Sequence, residues 1–298
     1  MIVYDSCPAC GQKNIVAVLS AEDYTVSHQQ FEIWECKNCT LRFTQNVPAQ
    51  NEIGPFYQSE NYISHSDTSK GFVNVLYHRV RSHTLNRKRK LVQEFTARQK
   101  GDILDIGCGI GAFLHSMHEC GWETTGLEPD AMAREKAKEL YGLQVENSAK
   151  LFELPAATFD AITMWHVLEH VHELHQYLEQ LKKILKPDGK LFVAVPNYTS
   201  YDAGIYKQFW AAYDVPRHLY HFSPQAMKTL LTSHAMKVEE TKPMWYDSFY
   251  VSLLSEKYKT GKANLVKGFV NGNISNLKAT GNTEKCSSLI YIVSHKVT

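Results

Sequence analysis

Ile103-Leu104-Asp105-Ile106-Gly107-Cys108-Gly109-Ile110-Gly111 is the stretch whose reading decides the fold. An apolar strand runs into a turn with glycine at every second position, and Leu127-Glu128-Pro129 follows, with Glu128 17 residues beyond Gly111. Strand, glycine turn, helix and a second strand ending in a carboxylate are the wiring of a βαβ nucleoside-binding unit. Gly107, Gly109 and Gly111 let the backbone pass close to a ligand in conformations that a Cβ obstructs. Glu128 is placed to accept hydrogen bonds from two ribose hydroxyls.

Two details set this turn apart from that of a dinucleotide enzyme. Asp105 sits on the strand itself, two residues before the first glycine, and the spacing is not Gly-x-Gly-x-x-Gly. S-adenosylmethionine is therefore the expected cofactor rather than NAD. Further along come Thr158-Phe159-Asp160-Ala161-Ile162-Thr163-Met164, Leu168-Glu169-His170-Val171, and Leu185-Lys186-Pro187-Asp188-Gly189-Lys190 leading into Leu191 to Val195. In this order the motifs resemble those of a class I S-adenosylmethionine-dependent methyltransferase of the type 23 kind, over about residues 100 to 200.

The resemblance implies an α/β fold, a doubly wound Rossmann-like seven-stranded methyltransferase sheet. Its third strand is expected at Leu143 to Glu146, its fourth at Thr158 to Met164 and its last two at Met236 to Thr241 and Ser287 to Val293, with an insert at about 244–280. It also places Pro129 and Ser148 on the adenine side of the cofactor. His166 falls close to the reacting methyl, while His170, His172 and His175 are expected to cap, pack or face solvent. A metal reading of His166 and His170 as an i, i+4 pair on a helix is the weaker alternative.

Cys7-Pro8-Ala9-Cys10 and Cys36-Lys37-Asn38-Cys39 form two Cys-x2-Cys knuckles with 25 residues between them. Four thiolates so spaced can surround Zn2+ tetrahedrally, and a module this small gains folding energy from the metal. Four cysteines leave no open position, so the zinc is read as structural: residues 1–50 form a zinc ribbon, 51–100 an aromatic linker and helical cap, and 101–298 the cofactor-binding domain. Tyr57 and Tyr62 in the linker either close over the cofactor or pack the zinc module against the main domain. Arg87-Lys88-Arg89-Lys90, on a predicted helix within Gly71 to Arg98, reads as a solvated face, because the net charge of +1 implies no polyanionic partner.

Trp210 to Phe222 lies in the crossover before a helix announced by Ser223-Pro224, on the side where ligands bind in such sheets. With the cysteine knuckles, this loop resembles zinc-containing methyltransferases related to the sugar C-methyltransferases of nucleotide-linked deoxysugars. In those a His-Glu-His segment precedes Phe-Ser and its second histidine is implicated as base. His218 matches that histidine, whereas Arg217 and Pro216 replace the other two residues. His218 is the expected base, His166 the next candidate, and Arg217 the anchor for an anionic group on the acceptor.

The expected function is methyl transfer to oxygen or carbon of a small polar acceptor, a sugar or related metabolite, anionic or nucleotide-linked. RNA or protein methylation, with the zinc ribbon as reader, and non-catalytic binding are the alternatives. No apolar run reaches about 18 residues and the N-terminus lacks signal-peptide regions, so a cytoplasmic protein without a membrane partner is expected.

Overall fold

The computed structural model describes residues 1–58, 72–262 and 264–296, with side chains omitted for residues 72–81. The chain divides into two compact units. One comprises Met1–Ile63, Leu168–His175 and Ala194–Tyr291, and the other Ser64–Val167, Gln176–Val193 and Ile292–Thr298. Strands β1 (Ile15–Glu22), β2 (Gln30–Cys36) and β3 (Arg42–Thr44) open the first unit, and helix α1 (Phe72–Thr96) the second.

In the second unit β4 (Asp102–Ile106) buries its last four residues. Such a continuous buried run is what a central parallel strand requires. β4 pairs in parallel with β5 (Glu123–Leu127) on one side and β7 (Phe159–Trp165) on the other, and β5 pairs with β6 (Val145–Glu146). α2 (Ala112–His118) leads from β4 to β5. α3 (Ala131–Tyr141), capped by Asp130 through Met132 N and ended by Gly142, leads to β6. The third strand is shorter than expected: only Val145 and Glu146 pair, while Leu143 is buried behind the glycine turn.

α4 (Leu174–Ile184) leads into β8 (Leu185–Pro196), and β8, β10 (Met236–Pro243) and β11 (Ser288–His295) complete a seven-stranded sheet of order β10-β11-β8-β7-β4-β5-β6. The order reverses beside β4, which makes its carboxyl end the switch point where ligands bind in open α/β sheets.

The first unit holds a four-stranded antiparallel sheet of order β1-β2-β3-β9, in which β9 is Tyr220–His221. Arg42 pairs with His221 and Phe43 with Tyr220, so part of the presumed crossover loop is the fourth strand of the N-terminal sheet. Phe31 and Ile33 of β2 pack in one buried cluster with Tyr206, Trp210, Tyr213 and Val215. α5 (Tyr201–Tyr206) and α6 (Pro224–Ser233) follow β8 and β9. Ser223 caps α6 through Ala226 N, with proline at the first position as its sequence predicts. The expected insert is a helical hairpin, α7 (Asp247–Thr260) and α8 (Leu265–Thr280). Among the described residues no helix is long and apolar enough to cross a membrane.

Asp202 of α5 binds this unit together. It is fully buried and accepts hydrogen bonds from Trp210 Nε1 (2.8 Å), Ser275 Oγ (2.7 Å) and Ser287 Oγ (2.7 Å). Removing the carboxyl strands three buried donors. Asp202→Ala is expected to cost about 3 kcal/mol or more, read as a lower urea midpoint, whereas a shift within error would show that the three donors find other partners.

Candidate functional site

The glycine turn is built on the end of β5. Gly107 N and Cys108 N both donate to Leu127 O, at 2.7 and 3.2 Å. Gly107 has φ 67° and a Cβ there would lie 2.5 Å from Val167 Cγ2, so packing inside the protein already demands glycine. Gly109, at φ 54°, differs: a Cβ there meets nothing within 4 Å. Its bare backbone borders open space, as close approach of a ligand requires.

Gly109 N donates to Glu128 Oε2 at 2.9 Å, and Asp130 N donates to Glu128 Oε1 at 3.0 Å. Each carboxyl oxygen thus has one backbone partner and keeps a second lone pair for a hydroxyl donor. Burial pushes the Glu128 carboxyl above its ordinary range, against the pull of these two N–H groups. Asp105 lies beneath, fully buried, with Thr163 Oγ1 donating to it at 2.6 Å, and burial pushes its carboxyl up to about 7.

The other expected cofactor residues line the same unit. Pro129 exposes its ring, and its carbonyl accepts from Arg134 Nη1 at 2.7 Å. Ser148 starts a 3-10 turn capped by Asn147, whose Oδ1 accepts from Ala149 N. His166, directly after β7, has φ 59°, a left-handed conformation uncommon outside glycine and a frequent mark of functional sites. That backbone breaks any helix through His166 and His170, and Leu168–His170 forms a 3-10 turn instead. The basic run on α1 is divided: Arg87 and Lys90 face solvent, Lys88 Nζ lies 4.2 Å above the Trp165 ring and Arg89 Nη1 reaches Cys120 Sγ at 2.9 Å.

In the first unit, Glu169, His170 and His218 each present a ligand atom within 4.8 Å of the others. His218 Nδ1 lies 2.9 Å from Ala212 O, and since a carbonyl only accepts, Nδ1 carries a proton, which leaves Nε2 as the atom that bears the lone pair in the neutral ring. That Nε2 is 3.9 Å from Asp214 Oδ2. His170 Nδ1 likewise donates to Arg217 O at 3.0 Å, with Tyr57 Oη also at 3.0 Å. Enclosure, with His218 beside it, pushes His170 down to about 4, so it is neutral near pH 7. Two imidazoles oriented through Nδ1 and one carboxylate suit a divalent cation or the passage of a proton. Tyr57 belongs to this cluster, while Tyr62 lies outside the described residues.

Arg217 does not do what its charge suggested. Its side chain is 1% exposed, with Nη2 3.0 Å from Asp23 Oδ1 and 2.6 Å from Asp214 Oδ1. Nε donates to Asp214 Oδ2 at 3.0 Å and Nη1 to Phe56 O at 2.8 Å. A buried guanidinium needs counter-charges, and these two carboxylates occupy it, leaving no face for an anionic acceptor. Asp214 is a residue of this cluster that the motifs do not announce, although its position three and four residues before Arg217 and His218 is a usable signal.

The four N-terminal cysteines converge, with Sγ atoms within 4.8 Å of one another and closest pairs of 3.5 Å (Cys7, Cys39) and 3.6 Å (Cys10, Cys36). Thiolates 2.3 Å from a tetrahedral zinc sit about 3.8 Å apart. Each knuckle closes with the same turn: Gly11 N donates to Cys7 O and Thr40 N to Cys36 O, both at 2.9 Å, with φ of 70° and 64° at those two residues. All seven cysteines are free thiols.

Comparison with known proteins gives concordant results. A family model described as a methyltransferase domain matches residues 77–240. The mitochondrial ubiquinone biosynthesis O-methyltransferase of Homo sapiens is 29% identical over 163 residues, covering 49% of this chain and 44% of that one. The corresponding protein of Schizosaccharomyces pombe is 32% identical over 133 residues, covering 42% and 48%. The chain thus spans about half the length of these curated relatives. A crystal structure of a SAM-dependent methyltransferase from Archaeoglobus fulgidus shares the fold, at TM-score 0.50 and 20% identity over 76% of this chain and all of that one.

Asp105 makes stability depend on pH. Its raised pKa means that the folded protein keeps a proton that the unfolded chain releases near pH 4. That stabilisation is present at low pH and is lost as pH rises through about 7. Asp105→Asn is expected to flatten the fall in stability between pH 4 and pH 7 in denaturation midpoints. Parallel curves for the two proteins would show that Asp105 is ionised throughout.

Proposed function

The chain belongs to this methyltransferase-domain family, and from that premise we propose that it transfers the methyl group of S-adenosylmethionine to a hydroxyl of a small polar acceptor, a sugar or related metabolite. The observation that carries the reading is the Glu128–Gly109 pair: a fixed carboxyl with spare lone pairs beside an open glycine backbone. When bound, the cofactor supplies a sulfonium-activated methyl group. With it bound, Glu128 would receive the ribose hydroxyls, the backbone at Gly109 would admit the ligand closely, and Pro129 and Ser148 would border the adenine. His166, held in its left-handed turn, would face the methyl.

For the base we propose His218. Its Nδ1 is tied to Ala212 O, so Nε2 is the atom that takes the acceptor proton, and Asp214 stabilises the imidazolium that results. The O-methyltransferase name of the curated relatives favours oxygen over carbon. Nucleic acid fits less well, because half of the basic run on α1 is engaged by Trp165 and Cys120.

Calorimetry with S-adenosylhomocysteine tests this reading. Micromolar binding is expected for the wild type, with a loss of about tenfold or more in Glu128→Ala, equivalent to at least one hydrogen bond to a charged group. His218→Gln is expected to keep that affinity and lower turnover about 10²-fold or more. A wild type that binds no S-adenosylhomocysteine sinks the proposal.

The same proposal includes one structural Zn2+ held by Cys7, Cys10, Cys36 and Cys39 in a cytoplasmic protein, a compartment in which the remaining thiols, Cys108, Cys120 and Cys286, stay reduced. When bound, the ion ties the two knuckles. One zinc per chain is expected by elemental analysis, with a lower melting temperature after chelation. Metal-free protein of unchanged stability would exclude it.

A further inference from the structure

Helix α8 is folded inside out. Gly268, Gly272, Ser275 and Ala279 form its buried face, packed so closely on α7 that a Cβ at Gly268 or Gly272 would lie 2.9 Å from Leu253 Cα or 3.0 Å from Phe249 Cα. Its large apolar side chains turn the other way: Leu265 is 70% exposed, Val266 74%, Phe269 59%, Val270 47% and Leu277 69%. A surface helix of a water-soluble protein normally does the reverse. Such a contiguous apolar face marks an interaction site.

The charges around it indicate the kind of partner. From Lys257 to Thr283 the sequence carries five lysines and not one aspartate or glutamate, in a chain whose overall charge is only +1. All five, Lys257, Lys259, Lys262, Lys267 and Lys278, are exposed. Lys267 and Lys278, 11 residues apart, flank the apolar face on one side of the helix, three turns apart. Apolar side chains that can enter an acyl boundary, flanked by ammonium groups that can meet phosphates, are the composition of a helix lying in a membrane interface.

We propose that the α7–α8 hairpin docks this protein onto a bilayer surface carrying anionic lipid. A second copy of the chain is a poorer occupant, because a symmetric contact through this face brings like-charged lysines together. A helix lying flat in the interface needs no spanning run, so the argument from hydropathy against a membrane partner does not reach it.

Co-sedimentation of the protein with phosphatidylcholine vesicles, with and without phosphatidylglycerol, tests this. Binding is expected only to the anionic vesicles, and it weakens as salt is raised. Val266→Glu, at the most exposed apolar position, is expected to weaken it at least about tenfold. The double variant Lys267→Gln with Lys278→Gln is expected to weaken it about thirtyfold. All three positions are exposed, and unchanged circular dichroism checks that the variants fold. No binding to anionic vesicles, or binding equal in the wild type and both variants, overturns the proposal. A dimer that Val266→Glu dissociates, with no vesicle binding, overturns it in favour of a second copy.

Discussion

The buried Arg217 guanidinium is the constraint on which the first unit depends. Removing an arginine from water costs several kcal/mol unless its donors meet good acceptors, and here two oxygens of Asp214, one of Asp23 and the Phe56 carbonyl meet them. Asp23 is in turn fixed by the backbone and hydroxyl of Ser27 and by Thr25. The ion cluster therefore pins the residue following β1 to the turn before β9. With Arg217 held, its carbonyl orients His170, and its neighbour His218 is set against Ala212. The orientation of the proposed base thus follows from an ion pair on the adjacent residue.

The second unit treats its buried carboxyls in the opposite way. The Ser27 backbone N–H and then the Arg217 charge override burial at Asp23, and Arg217 does so at Asp214, so that both carboxyls are held below the usual carboxylate range. Asp105 and Glu128 have mainly hydroxyl and backbone N–H partners, and burial holds them above it. A carboxyl supported by backbone donors alone keeps acceptor capacity to offer, which suits Glu128 to neutral hydroxyls. Arg217, paired twice, has nothing left to offer an anion.

Packing also explains why α8 exposes its apolar residues. Two helices cross most closely where glycine, serine and alanine line the contact, and the tight fit against Leu253 and Phe249 uses up the small face of α8. The large side chains are left on the opposite face, beside lysines of a stretch, Lys257 to Thr283, that holds no acidic residue.

The order of strands, the glycine turn ending in Glu128, the Ser223-Pro224 helix start and the two cysteine knuckles were all legible in the sequence, because each is carried by residues a few positions apart. The length of the third strand was not, since pairing at a sheet edge depends on what lies beside it. The role of Arg217 was hidden for a stronger reason. Its charge announces an anion partner but not which one, and Asp23 is 194 residues away in the chain. The pairing of Phe43 with Tyr220 and the meeting of Glu169 and His170 with His218 are likewise contacts between remote segments. Local pattern determined the elements and their order; only the tertiary structure decided which buried charges meet, because desolvation makes a buried charge depend on the partners that the fold brings within reach.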